Sequence, residues 1–521
     1  MSADAPQAPQ RSSAPTEGPL DPPTERVHPL PPAAGLTEVP DPAPAPAAAG
    51  VGGKVGRGLA WSMLNTVVLR LGIFLSGIIM ARLLTTADYG VFALAVTALT
   101  VLQAFNELGV SLALVRWERD VREFAGTAMT IAIANSALLY AAVWALTPKY
   151  CELMGSPEAV TVVRVLCAAV LVDGIAVVPA TILNREFLQR TRFFCDAASF
   201  VVVTGLTITL GASGAGAISF SVGQLSGSIV SMTCYLLLCP VRVRPGWDRA
   251  TARELIRFGL PLAAASVLTL SVTQIDKIIV GGFTDAAALG LYLMVFNQSS
   301  LPLQIFSEAG RRVSLAGFAR MADNKPQLEL AVARGVGLMV AAALPVCALL
   351  ACYSAPMLHA VYGDQWVPGA QALRFLAILG LARILLFIGY DLLVALDGNR
   401  VLIWLQGLWL VVTVGGLFAG VLLDGIRGAA IAQAAVTALI VLPVFGAVVV
   451  RRGIRLAPAL RACGRPVLGG ALVVASSFLV RAVFENSWLQ LLVGGLVAVV
   501  VYLPVVYPMR SMLPGRSGAA A

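Results

Sequence analysis

Apolar runs of twenty or more residues recur along this chain from Leu59 to Tyr507. At 1.5 Å of rise per residue, a helix of that length crosses a hydrocarbon layer about 30 Å thick. A soluble core does not need such segments. Of the 521 residues, 58% are hydrophobic and only 12% charged, where a soluble domain is about half apolar and a quarter charged. The sequence therefore predicts an all-α polytopic membrane protein of about fourteen transmembrane helices.

The net charge of +9 does not point to nucleic acid. Its arginines sit in short connections between apolar runs, which is the topology signal of membrane proteins, and no basic, aromatic-rich domain is present. Alternate connections are strongly basic. One side collects Arg116, Arg119 and Arg122, then Arg242, Arg244, Arg249 and Arg253, then Arg451, Arg452 and Arg455. The other has little beyond Arg82, Lys149, Arg427 and Arg481. By the positive-inside rule both termini are expected in the cytoplasm, in a multi-pass inner (plasma) membrane protein with an even number of spans. Residues 1–53 are Pro- and Ala-rich and are expected to be a disordered cytoplasmic tail. With no CxxC and two histidines, neither a metal site nor a cofactor is expected.

The chain also repeats itself. Tyr89-Gly90-Val91-Phe92 is echoed by Leu289-Gly290-Leu291-Tyr292, Arg164-Val165-Leu166 by Arg374-Phe375-Leu376, and Gly216-Ala217-Ile218 by Ala429-Ala430-Ile431. The offset drifts from 200 to about 210, as one longer connection would cause. The expected arrangement is a first lobe over residues 54–250 and a second over 251–464, each of six helices and in parallel orientation. Two further helices follow, with a short tail, over 465–521. Parallel repeats place a substrate path between the lobes.

The residues around the first helices carry a resemblance: Trp61, Ala81-Arg82-Leu83-Leu84, Asp88-Tyr89-Gly90 and Glu107-Leu108-Gly109, with Pro261 and Asp276 in the seventh helix. Here the sequence resembles the polysaccharide and lipid-linked oligosaccharide flippases of the multidrug/oligosaccharidyl-lipid/polysaccharide exporter superfamily. The resemblance implies a two-lobed, V-shaped bundle. It implies a substrate of undecaprenyl-diphosphate-linked sugar, carried from the cytoplasmic to the outer leaflet by alternating access. It also implies a non-enzymatic role in cell-envelope polysaccharide biosynthesis. Envelope polysaccharide polymerases and glycosyltransferases are the corresponding candidate partners, beside membrane lipids. The motifs do not separate one glycan from another.

Charges at bilayer depth cost about 2.5–3.5 kcal/mol each on insertion scales, so they face a wet cavity or a partner. Arg70 lies midway along the first helix and is a candidate for binding a pyrophosphate head group, with a structural ion pair as the alternative. Asp173 and Arg383 each follow a repeat-matched arginine by nine residues. They occupy equivalent positions with opposite charge and are candidates for an inter-lobe pair that arriving phosphate would break; each satisfying its own lobe is the alternative. Arg257 is either a capture point at the cleft mouth or a positive-inside anchor. Gln274 and Asp276 stand in the seventh helix. Lys277, about 100° around from Asp276, is expected on another face. Asn65 and Asn297 add polar capacity suited to sugar hydroxyls, or to interhelical hydrogen bonds. His359, Asp364 and Trp366 read as interfacial.

Two other classes compete. A multidrug cation antiporter of the same superfamily would want cavity carboxylates, and Asp173 is one. A polyprenyl-dependent membrane glycosyltransferase or polymerase would need catalytic acids on a sizeable outward loop, and the outward loops are short.

Overall fold

Backbone N–H and C=O groups in lipid must be satisfied within the protein, so spanning segments are helices unless they close a barrel. The structure is a computed structural model. It describes residues 72–106, 121–186, 188–321, 324–396 and 398–512, with side chains at 104, 121–122, 261–273, 305–317, 319, 399 and 511–512 outside the description. The chain divides into two units, residues 1–55 and 56–521, and every described residue belongs to the second. The tail, Asn65 and Arg70 lie outside the described residues.

Among the described residues the chain is helices and their connections, without strands. In chain order they are α1 (Gly72–Leu83), α2 (Thr86–Asn106), α3 (Val121–Leu153), α4 (Pro157–Arg185), α5 (Gln189–Ala212) and α6 (Ile218–Leu238). Then come α7 (Arg249–Phe283), α8 (Ala286–Arg320), α9 (Lys325–Cys352) and α10 (Ala370–Ala395). A continuous helical stretch breaks at Asp424 and Gly425 into α11 (399–423) and α12 (426–451). Gly425 has a φ of 50°, which a side chain would strain. The last two helices are α13 (Ala457–Val483) and α14 (Ser487–Val506). Among the described residues, side chains cap the exposed amides at five starts: Thr85 for α2, Asp248 for α7, Asp285 for α8, Asn324 for α9 and Asn486 for α14, each satisfying an otherwise orphan donor. Among the described residues, ten stretches are long and apolar enough to cross a membrane. That number does not establish a total of fourteen, since α11 and α12 fall in one stretch and α1 is described only from Gly72.

The packing repeats as the sequence does. In the first half α2 and α3 pack on α4, and α4 and α5 pack on α6. In the second, α8 and α9 pack on α10, and α10 packs on the α11–α12 pair. Within that pair, a Cβ on Gly428 would lie 2.0 Å from the Gly420 carbonyl oxygen. α13 and α14 stand outside the pattern, packing on each other and on α9.

The halves meet where α2 packs against α7 and α8, and the closest approach uses the repeat-matched glycines. A Cβ on Gly90 would lie 1.6 Å from the Ala286 carbonyl oxygen, and one on Gly290 would lie 2.0 Å from that of Thr86. Each contact is the image of the other under the repeat, so the axis relating the halves passes between these glycines. Nearby, the connection after α9 reaches across to the end of α1. Trp366 Nε1 donates to the Ala81 carbonyl at 2.8 Å, and Gln365 Nε2 to Ala81 and Leu84 at 2.9 and 3.0 Å. A helix end leaves such carbonyls without intrahelical partners, so these bonds also cap α1. In return Arg82 donates to the Val361 and Ala360 carbonyls at 3.0 and 2.6 Å.

Trp366 is fully buried, edge-on to Tyr89 with ring centroids 4.8 Å apart. This corrects its reading as an interfacial residue: its indole fills the seam and its N–H has a carbonyl partner. His359 and Asp364 are exposed and paired at 2.9 Å. The arginine-rich connections gather at the opposite end. There Gly246 N donates to the Gly126 carbonyl at 3.1 Å, Arg452 to the Leu396 carbonyl at 3.0 Å, and Arg455 N to Glu329 at 2.8 Å.

Gly90→Ala and Gly290→Ala should each force the crossing apart, an overpacking cost of about 1–3 kcal/mol, seen as a thermal midpoint several degrees lower for the purified protein. Gly205→Ala, which meets open space, should leave the midpoint unchanged or higher. Equal midpoints for all three variants would mean that the helices do not cross at these glycines.

Candidate functional site

The interior of the second half holds a polar cluster drawn from four helices. α7 contributes Gln274, Asp276 and Lys277, α8 contributes Tyr292 and Phe296, α10 contributes Arg383, and α12 contributes Gln433. Asp276 precedes the end of α7 by seven residues, while Tyr292 and Gln433 lie six and seven residues past the starts of α8 and α12. All three therefore sit roughly 10 Å below the arginine-poor end. Arg383 is halfway along α10. Its side chain, leaning toward the helix start as helical side chains do, brings the guanidinium to 5.2 Å from the Phe296 ring centroid.

The sequence placed Lys277 and Asp276 on different faces, and the structure brings their charges together. The Cβ directions do diverge, but the four-carbon stem of lysine lets the ammonium fold back. Lys277 Nζ donates to Gln274 Oε1 at 2.7 Å and stands 3.7 Å from Asp276 Oδ1. It also lies 4.4 Å from the Phe296 centroid, so two cations share one ring as a π partner. The Tyr292 hydroxyl is 3.2 Å from Asp276 Oδ2 and 3.3 Å from Gln433 Oε1. It has one proton and donates to one of them at a time. Arg383 lies within electrostatic reach of Asp276 and Tyr292. Asp276 and Lys277 are 1% and 7% exposed, which removes the water that would otherwise screen them.

The cluster carries two cations and one carboxylate, an excess of one positive charge inside the membrane. Such a group can accept an anion by charge-assisted hydrogen bonds. It can also hold itself closed through Asp276 when no anion is present.

Other residues singled out from sequence stand apart. Asp173, half-buried in α4, has the side chain of Gln103 of α2 as a polar neighbour. Asp173 and Arg383 form no ion pair in this structure: the charge partners of Arg383 are in its own half. Arg257 is exposed toward the arginine-rich end of α7, and Asn297 is exposed while its neighbour Gln298 is buried. The repeat-matched arginines that frame these positions serve structure. Arg164 donates to the Trp144 carbonyl at 2.9 Å and stacks on that ring at 4.1 Å. Arg374 donates to Ser354 at 3.1 Å.

Sequence reasoning missed Tyr292, Phe296 and Gln433, yet the repeat carried the signal. The counterpart of Tyr292 is Phe92, and that of Gln433 is Phe220. In the first half those two rings stack at 4.1 Å; in the second half the same two positions form a hydrogen bond. The counterparts of Asp276 and Lys277 are Ser76 and Gly77. The polar cluster is therefore a place where the two halves share a backbone and differ in chemistry.

The fold and parts of the sequence match known proteins. The lipid II flippase MurJ, in a structure described as inward closed, superposes with a TM-score of 0.68 at 13% identity, covering 86% of this chain and 99% of that one. The teichuronic acid biosynthesis protein TuaB of Bacillus subtilis is 20% identical over 343 residues, 64% of this chain and 69% of that protein. The lipopolysaccharide biosynthesis protein WzxC of Escherichia coli is 19% identical over 338 residues, 63% of this chain and 68% of that protein. The family described as polysaccharide biosynthesis protein matches residues 79–371, more than half of the 521 residues, and the chain belongs to that family.

Proposed function

We propose that this protein is a flippase for lipid-linked oligosaccharide precursors of a cell-envelope polysaccharide. It moves an undecaprenyl-diphosphate-linked sugar from the cytoplasmic to the outer leaflet by alternating access between two six-helix lobes. The observation that carries this reading is the net-cationic cluster of Asp276, Lys277 and Arg383, buried in a membrane bundle whose fold is that of a lipid flippase. A diphosphate is an anion that must leave water to cross. Two cations held by a carboxylate and a ring offer it a desolvated landing point, and Asp276 closes the group again once the anion has gone. The relatives named for teichuronic acid and lipopolysaccharide biosynthesis support a sugar-linked cargo.

The arginine-rich end is then cytoplasmic, with both termini, and the Gly90–Gly290 crossing and the Trp366 seam lie at the outer end. This conformation is closed on that side. An inside-negative potential favours outward movement of an anion by about 2.3 kcal/mol per charge per 100 mV, so no coupling ion is required for direction. A cationic drug would meet repulsion from Lys277 and Arg383, which disfavours the antiporter alternative. The protein performs no covalent chemistry in this scheme. Glycosyltransferases that load the lipid and a polymerase that consumes it are the partners such a step needs.

Depletion of the protein should cause a lipid-linked sugar to accumulate on the cytoplasmic face. If the sugar is found on the outer face at normal levels, the flippase reading fails. In complementation of the depleted strain, Arg383→Gln should lower polysaccharide output about tenfold or more, the loss of one charge-assisted hydrogen bond worth ~1.5–3 kcal/mol. Arg383→Lys should restore part of it, and Asn297→Ala should be near wild type. Wild-type output from Arg383→Gln at matched protein levels would remove the cluster from the substrate path.

A further inference from the structure

A cavity of about 600 Å³ opens between the α9–α10 connection and the α13–α14 pair. None of its lining residues belongs to α1–α8, so it is separate from the meeting face of the two halves. Pro356, Val367 and Phe478 give it apolar walls, Arg481 gives it a guanidinium, His359 an imidazole, and Ser487 a hydroxyl.

Cations are scarce at this end, and Lys149 does not line the cavity. Arg82 holds two carbonyls, and Arg427 pairs with Asp424 at 3.3 Å. Arg481 makes one long contact, from Nη1 to the Cys352 carbonyl at 3.4 Å, although a guanidinium has five N–H donors. His359 faces Asp364 at 2.9 Å, and the Asp364 side chain is 87% exposed, so water screens that carboxylate. The apolar surroundings are of the kind lipid covers. Phe478 in the cavity wall is 67% exposed and Trp488, at the start of α14, is 54% exposed, the position at which tryptophan marks a membrane–water interface.

We infer that this cavity binds the phosphate of an anionic phospholipid from the leaflet at the arginine-poor end. Arg481 and His359 hold the phosphodiester by charge-assisted hydrogen bonds, and the Phe478, Pro356 and Val367 walls take the first carbons of the lipid. A soluble anion would leave those walls wet, and a zwitterionic lipid would bring its own cation to Arg481. The His359 segment continues into Gln365 and Trp366, the residues that seal α1. A bound lipid thus ties the α13–α14 pair to the connection that closes this end of the bundle.

The test is the thermal midpoint of the detergent-purified full chain with added phosphatidylglycerol, phosphatidylcholine or inorganic phosphate. Phosphatidylglycerol is expected to raise the midpoint above phosphatidylcholine, and inorganic phosphate to leave it unchanged. Arg481→Gln combined with His359→Gln should need about tenfold more phosphatidylglycerol for the half-maximal rise, the cost of ~1.4 kcal/mol of lost binding. Arg427→Gln, at the same end but outside the cavity, should need no more than wild type. A half-maximal concentration unchanged in the double variant, an equal rise with phosphatidylcholine, or a rise with inorganic phosphate alone would each overturn the inference. Should the double variant not purify, Arg481→Lys is expected to keep the wild-type response and Arg481→Gln to weaken it. Identical responses in those two variants would likewise overturn it.

Discussion

The contact on which the bundle depends is the crossing of α2 and α8 at Gly90 and Gly290. Lipid offers little hydrophobic drive for one helix to leave it for another, so association rests on close packing and on hydrogen bonds. Two glycines let the backbones approach until each Cα faces the other helix's carbonyl. The rest of that end is built around this approach. Tyr89 packs on Trp366, Trp366 and Gln365 cap α1, and Arg82 ties α1 to the α9–α10 connection. A side chain at either glycine would separate the halves before any of those bonds could form.

The crossing also lies on the repeat axis. The two glycine contacts are equivalent under the repeat, each the image of the other. Alternating access in transporters built of parallel repeats works by rocking one repeat against the other. The chemistry, by contrast, is asymmetric. The Phe92–Phe220 stack of the first half becomes Tyr292 and Gln433 in the second, and Ser76 and Gly77 become Asp276 and Lys277. The backbone repeat supplies the shared scaffold, and the departure from it in one half supplies the polar cluster.

Much of the scaffold was legible in the sequence because its determinants are local. Run length marked the chain as a bundle of membrane-length helices. Arginine alternation sorted the connections by end, and three short echoes exposed the repeat. The site was legible only in pieces. Asp276, Gln274 and Arg383 stood out as charges or amides in apolar runs, but their meeting depends on how α7, α8, α10 and α12 pack. Hydropathy periodicity says little about that when every helix is apolar all round. Tyr292 and Gln433 were hidden because single polar groups in membrane helices are commonplace. Pairing Asp173 with Arg383 across the lobes used the repeat correctly for position. In this conformation the charge neighbours of Arg383, Asp276 and Tyr292, lie in its own half, which is the alternative in which each charge is satisfied within its lobe. Lys277 leaves α7 on a different face from Asp276, but a Cβ direction says little about where a lysine ammonium ends.

The central claim is that a buried cationic cluster carries an anionic lipid head across the bilayer. It is tested most directly by reconstituting the full chain in liposomes with a fluorescent undecaprenyl-diphosphate sugar in the leaflet facing the arginine-rich end. Movement of the sugar to the opposite leaflet is then followed by quenching. The account predicts transfer that depends on the protein, that is faster when the potential is negative on the arginine-rich side, and that is lost in Lys277→Gln combined with Arg383→Gln. No transfer of the lipid, together with export of a cationic dye from the same vesicles, would contradict it.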